Sequence, residues 1–184
     1  MIALICGGVS SGKSEIAESL AVAVNKGKLA YLATLSPHDD ECGKRIERHR
    51  QMRRGKGFET FEFPHNIEAY LDQLLPYETV LLECMSTLIA NEMFIGGRNP
   101  HETIKAVAAD IRRLSQTVKN VIIVSSTVFT DFKGYDQFTQ NYIEVIGKIN
   151  CDIAAFADVV IESVCSVPVI HKGKREISQY EDLF

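Results

Sequence analysis

Gly7-Gly8-Val9-Ser10-Ser11-Gly12-Lys13-Ser14 matches the pattern G-x-x-x-x-G-K-[ST], which is a phosphate-binding loop when it joins a strand to a helix. The context fits. Ile2 to Cys6 reads as a buried strand, and a helical segment follows Ser14. The glycines permit tight backbone curvature, so that successive N–H groups point inward at phosphate oxygens, helped by the positive end of the helix. Lys13 then reaches the β- and γ-phosphates, and the Ser14 hydroxyl ligates Mg²⁺. A plain glycine turn between strand and helix does not require Lys-Ser at these two places.

Outward from the loop, short β-branched runs alternate with segments of helical period, the pattern of βα units around a mostly parallel sheet flanked by helices. The expected fold class is therefore α/β of the P-loop NTPase kind. Strands are expected at Ile2 to Cys6, Leu29 to Ala33, Phe58 to Phe63, Thr79 to Glu83, Val121 to Ser125 and Val159 to Glu162. The clearest helix spans Glu102 to Val118, with Ile104, Val107, Ala108, Ile111, Leu114 and Val118 on one stripe, and Asn99 with Pro100 reads as its start. Another is expected from about Gln140 to Phe156. Ile161 to Val164 and Val167 to His171 flank Cys165 and Ser166 as a C-terminal hairpin, although that two-residue link lacks Gly or Asn.

At 184 residues, 46% hydrophobic and 24% charged, the chain has the size and composition of a single soluble domain, 1–184. Disorder, collagen and coiled coil are excluded. A net charge of -4 provides no global attraction for nucleic acid, so any polyanion site is local. Five scattered cysteines without a C-x-x-C pair suggest neither a disulfide framework nor a zinc site, and fit a reducing cytoplasm. MIALICGG is apolar for too short a stretch to serve as a signal, and no run approaches the roughly 18 apolar residues of a membrane span.

A P-loop needs an acid on its metal side at the end of another buried strand. Val80-Leu81-Leu82-Glu83 places one there, and Glu83 is expected to orient Mg²⁺ or its water shell. The alternative is a strand-end carboxylate that caps a helix near Ser86.

The stretch from 38 to 56, HDDECGKRIERHRQMRRGK, opens on acids and carries seven cations between Lys44 and Lys56, offset only by Glu47. A solvated helix with acids at its positive end and bases at its negative end accounts for the polarity. The density of like charge calls for something anionic among the cations. His49 shares a helix face with Arg45, Ile46 and Arg53. A neutral imidazole among arginines suits attack on a phosphorus whose charge the arginines offset, better than it suits metal binding. An uninvolved helix histidine remains the alternative.

Together these residues resemble the adenosylcobinamide kinase / adenosylcobinamide-phosphate guanylyltransferase family of cobalamin biosynthesis. The resemblance runs to about Val160. It includes the loop at Gly7 to Ser14, Tyr31-Leu32-Ala33-Thr34, Arg45-Ile46-x-x-His49-Arg50-x-x-Arg53, Thr60-x-Glu62-x-Pro64, Leu81-Leu82-Glu83-Cys84, Gly147-x-x-Asn150 and Ala157-Asp158. The resemblance implies that His49 carries GMP as a phosphoramidate, with Lys13 serving phosphoryl transfer. It also implies nucleotide contacts at Gly7, Gly8, Val9, Ser10, Ser11, Gly12, Lys13 and Ser14, at Thr34, Leu35 and Ser36, at Arg50, Gln51, Met52 and Arg53, and at Glu62 and Glu83. A RecA-like fold, a homotrimer, Mg²⁺, GTP with ATP as the alternative phosphate donor, and a corrinoid substrate follow from it as well. Four departures from the family pattern stand out: Ser10 for an arginine, Arg54-Gly55-x-x-Phe58 with one extra residue after the histidine for Arg-Pro-x-x-Trp, Ser126-Thr127-Val128-Phe129 for Asn-Glu-Val-Gly, and Cys151 for a glutamine.

The leading expectation is an enzyme that phosphorylates adenosylcobinamide and then transfers GMP to that phosphate through His49. A P-loop kinase of another small alcohol, without a covalent step, and a non-catalytic nucleotide sensor stay open beside it. Nucleic-acid binding through the arginine helix is weaker, because no stacking aromatics are interleaved with the cations.

Overall fold

The computed structural model describes residues 1–35, 40–127 and 134–183, the side chains of residues 40, 41, 45 and 181–183 excepted. Ser36, Val128 and Phe129, singled out above, lie outside the described residues. So does the side chain of Arg45.

Seven strands form one sheet in the order β3-β2-β4-β5-β1-β6-β7. They are β1 (Ile2–Gly7), β2 (Leu29–Ala33), β3 (Phe58–Glu62), β4 (Thr79–Glu83), β5 (Asn120–Val124), β6 (Val159–Val164) and β7 (Val167–Lys172). The first six pair in parallel and β7 returns antiparallel against β6, as the sequence predicts. The central strands β4 and β5 are buried at every residue, which explains why they read as continuous apolar runs. Their alternation still divides two cores. Ala3, Ile5, Leu81, Ile122 and Val124 face α1 (Lys13–Val24), where Ile16, Ala17 and Leu20 pack against them. Leu4, Val80, Leu82, Val121 and Ile123 face the opposite layer. That layer contains α5 (Pro100–Thr117) and α6 (Gln137–Phe156), through Val107, Ile111, Leu114, Val145, Ile146, Ile149 and Ile153.

Between β2 and β3 lies α2 (Asp40–Met52), which ends before Arg53, Arg54 and Lys56, so these three cations sit in the following turn. A 3-10 turn (Ile67–Tyr70) and the one-turn α3 (Leu71–Leu74) precede β4. After β4 come α4 (Met85–Ala90) and a π-helical segment (Asn91–Ile95). A 3-10 segment (Ser178–Leu183) closes the chain, and Ile177 beside it packs on the α1 face. None of these short elements carries a periodic signal long enough to read from sequence. Among the described residues no helix is long and apolar enough to cross a membrane.

One boundary differs from expectation, and one expected turn forms despite its sequence, each for an identifiable reason. Helix α6 begins three residues earlier than Gln140, because the Asp136 side chain accepts from the Thr139 N–H at 2.8 Å and caps it. The β6–β7 link forms without Gly or Asn: Cys165 (φ 52°) and Ser166 (φ 65°) both adopt the left-handed conformation that a two-residue hairpin demands. The Ser166 N–H donates to the Ser11 carbonyl at 2.7 Å, a tertiary contact that holds the turn there.

The C-terminal ends of the parallel strands place Gly7, Thr34, Glu83, Ser125 and Ser163 along one edge of the sheet. In open α/β sheets this edge is where ligands bind.

Candidate functional site

The phosphate loop turns at Gly12, which has φ +89° and stands at the N-cap of α1. Only glycine fits there: a Cβ would lie 2.5 Å from Ser166 Oγ and 3.0 Å from Ser166 Cα. Lys13 is buried and arches back over the loop, its Nζ donating to the Gly8 carbonyl at 2.7 Å. Ser10 takes a left-handed conformation, φ 58°, and Val9 beside it is 92% exposed at the tip.

Ser14, on the first turn of α1, donates its hydroxyl to Glu83 Oε1 at 2.5 Å. Strand β5 separates β4 from β1, yet α1 lies across all three strands and carries Ser14 over to the β4 end. One serine hydroxyl and one carboxylate therefore converge at the helix end of the loop. Such a hard, all-oxygen donor pair fits the coordination habits of Mg²⁺. Glu83 also accepts from the Tyr31 hydroxyl at 3.2 Å, through Oε2.

His49 of α2 points into the same corner. It is 8% exposed, with Nδ1 3.5 Å from Glu83 Oε1. Glu18, four residues beyond Ser14 on α1, completes the corner: donor atoms of Glu18, His49 and Glu83 all lie within 4.8 Å of one another. Glu18 is fully buried and ion-paired to Lys56 Nζ at 2.7 Å. Burial pushes the Glu18 carboxyl above its ordinary range, Lys56 opposes that shift, and Glu83 adds to it. Arg53 lies 3.4 Å above the Tyr31 ring, a cation–π contact. The phenol of Tyr31 is driven far above its usual range, first by burial and then by Glu83. Phe58 meets the Tyr31 ring edge-on at 6.0 Å between centroids.

Sequence spacing surrounds His49 with arginines; the structure adds two carboxylates. A signal for Glu18 did exist, because its i+4 spacing from Ser14 puts both on one face of α1. No sequence signal pairs Glu18 with Lys56.

Tyr31, Leu35, His49, Arg53, Glu62 and Glu83 line one open pocket, about 470 Å³ with its mouth included. Arg50 lines it as well and reaches Glu62 Oε1 at 3.3 Å on the exposed rim. Other expected nucleotide contacts lie elsewhere. Thr34 is fully buried, and its hydroxyl donates to the Cys84 carbonyl (2.9 Å) and accepts from the Cys84 N–H (2.8 Å), so the side chain ties β2 to β4. The Thr34 carbonyl accepts from the Asn91 amide at 2.9 Å. Gln51 is exposed and donates to Glu47, and neither it nor Met52 lines the pocket. Ser126, within the segment that departs from the family pattern, lies 3.3 Å from the Ser86 hydroxyl, and Asn150 links Ser125 to the Ser126 carbonyl. Cys151 is exposed on α6.

The sequence model described as "Cobinamide kinase / cobinamide phosphate guanyltransferase" matches residues 3–170. The "Bifunctional adenosylcobalamin biosynthesis protein CobU" of Escherichia coli (strain K12) is 30% identical, with 87% of this chain and 93% of that protein covered. The "Bifunctional adenosylcobalamin biosynthesis protein CobP" of Pseudomonas aeruginosa is 28% identical, with 93% and 97% covered. Among solved structures, the flagellar accessory protein FlaH from Methanocaldococcus jannaschii superposes with a TM-score of 0.52 at 15% identity, over 93% of this chain and 77% of that one, a likeness of fold.

Proposed function

The chain belongs to the cobinamide kinase / cobinamide phosphate guanyltransferase family, and we propose that it phosphorylates adenosylcobinamide and transfers GMP to the product through a guanylylated His49. It is a transferase by that membership. The observation that carries the covalent step is the burial of His49 against Glu83, the residue that also meets Ser14 of the phosphate loop.

In the kinase step the loop N–H groups and Lys13 hold the triphosphate in line and offset the charge that develops on the transferred group. Ser14 and Glu83 are the residues that would hold Mg²⁺, which when bound would add positive charge beside the phosphates. In the transferase step, with Nδ1 turned to Glu83, Nε2 of His49 is the nitrogen assigned to attack the α-phosphorus of GTP. A P–N bond forms, the bond to the β-phosphate oxygen breaks, and pyrophosphate leaves. The carboxylates of Glu83 and Glu18 stabilise the positive imidazole that results. An oxygen of the phosphorylated corrinoid then attacks the same phosphorus, the P–N bond breaks, and His49 returns to its starting form. Arg50 and Arg53, on the pocket wall, offset phosphate charge throughout.

Incubation with α-labelled GTP, followed by acid and alkali, tests the covalent step. We expect acid-labile, alkali-stable label on the protein, lost in His49→Ala. Label retained at full level in that variant, or none on the parent chain, removes the histidine mechanism. Nucleotide consumption without protein labelling, abolished in Lys13→Ala, is the outcome that favours a kinase of another small alcohol.

A further inference from the structure

The β6–β7 hairpin gives Val159 and Ile161 to the α1-side core, while Val164 and Val167 on either side of its turn are 47% and 61% exposed. Its tip nevertheless sits directly on the phosphate loop. Ser163, only 2% exposed, pairs in register with Gly7, the first residue of the loop motif. The Ser163 hydroxyl donates to the Ser11 carbonyl at 2.5 Å. The Ser166 N–H donates to that same carbonyl at 2.7 Å. A single loop carbonyl thus takes two hydrogen bonds, both from the hairpin. Gly12 packs against Ser166 so closely that no Cβ fits between them.

We propose that the hairpin tip is an outer clamp on the phosphate loop, and that Ser163 is a positioning residue for triphosphate binding. The reason lies in peptide geometry. In a planar trans peptide the carbonyl and the following N–H point in opposite directions. Holding the Ser11 carbonyl toward the hairpin therefore turns the Gly12 N–H toward the concave side of the loop, where a phosphate oxygen is received. Without the clamp, rotation of that peptide plane brings a carbonyl oxygen toward the phosphate and removes a donor. The conformational cost of two adjacent left-handed non-glycine residues at Cys165 and Ser166 is consistent with a turn whose position matters more than its ease of formation.

The inference rests on the loop binding a nucleoside triphosphate and is independent of the chemistry at His49. Its test is the dissociation constant of Mg²⁺·GTP, measured by equilibrium dialysis on the full chain, for Ser163→Ala, Ser163→Cys and Ser163→Thr, with Tm recorded for each. The cysteine variant keeps the volume and loses the strong donor; the threonine variant keeps the hydroxyl. We expect about 5- to 10-fold weaker binding in the alanine and cysteine variants, the size of one buried hydrogen bond. Binding by the threonine variant should stay within about twofold of the parent, and Tm should move by less than about 4 °C in the alanine variant. Parental affinity in the alanine variant overturns the proposal. So does parental affinity in the cysteine variant, which would assign the contact to packing. Loss of His49 labelling overturns the guanylyl-transfer reading and leaves this measurement standing.

Discussion

Asp110 on α5 shows how much a single buried charge can matter away from the site. It is 5% exposed, and its carboxyl is pushed up to about 6 by burial, then by Glu68 and Glu92, with Arg98 and Arg113 opposing. The folded chain therefore holds this proton more tightly than the unfolded chain does. Ionising Asp110 is a cost fully present above pH 6 and relieved as the pH falls from 6 toward 4, on the order of 3 kcal/mol. Asp110→Asn should raise Tm by a few degrees at pH 7.5 and by about a third of that at pH 4.5. A scanning-calorimetry pair at the two pH values checks this, and a variant destabilised at pH 7.5 contradicts it. At the same scale, Lys13, Ser14, Glu83 and His49 were legible as candidates because each stands at a fixed offset within a local motif. Glu18 and Lys56 were not read as a pair, because 38 residues and a helix separate them and only packing brings them to 2.7 Å.

Among the elements, α5 follows local rules most closely. Asn99 accepts from the Glu102 N–H at 3.0 Å while the Glu102 carboxylate accepts from the Asn99 N–H at 3.1 Å, a capping box, and Pro100 occupies the first helical position. Asn99→Ala removes the cap and should cost about 1 kcal/mol, lowering Tm by about 2–4 °C. The box lies far along the chain from Gly7 to Ser14, so Mg²⁺·GTP affinity should hold; thermal melts and dialysis on the same sample report both quantities. The signals for the start of this helix all lie within four residues of it, so its beginning could be read at Asn99-Pro100. The β6–β7 turn is the opposite case. Cys165-Ser166 has weak intrinsic preference for the left-handed conformation, and its hydrogen bond reaches back 155 residues to the Ser11 carbonyl. Element α2 falls between them: its charge pattern announced a helix, but the docking of His49 and the Glu18–Lys56 pair depended on where α1 lies.

For the molecule as a whole, the alternation of β-branched runs with helical periods was enough for an α/β class, a parallel sheet and the loop at its edge. Those features follow from side-chain period and from the need to bury both faces of each central strand, which any one segment expresses by itself. Strand order is another matter. Nothing in β4 or β5 alone states that β5 lies between β4 and β1, or that β1 then pairs with β6. That order sets α1 across the sheet so that Ser14 meets Glu83, and it brings Ser163 to the back of the phosphate loop. Sequence alone singled out the phosphate-loop motif, the candidate metal-side acid, the candidate nucleophile and the family they resemble, because each rests on neighbours within a few residues. Only the tertiary structure decided which carboxylates surround His49, which expected contacts line the pocket, and what grips the loop from outside, because those relations join residues that meet only once the sheet has formed.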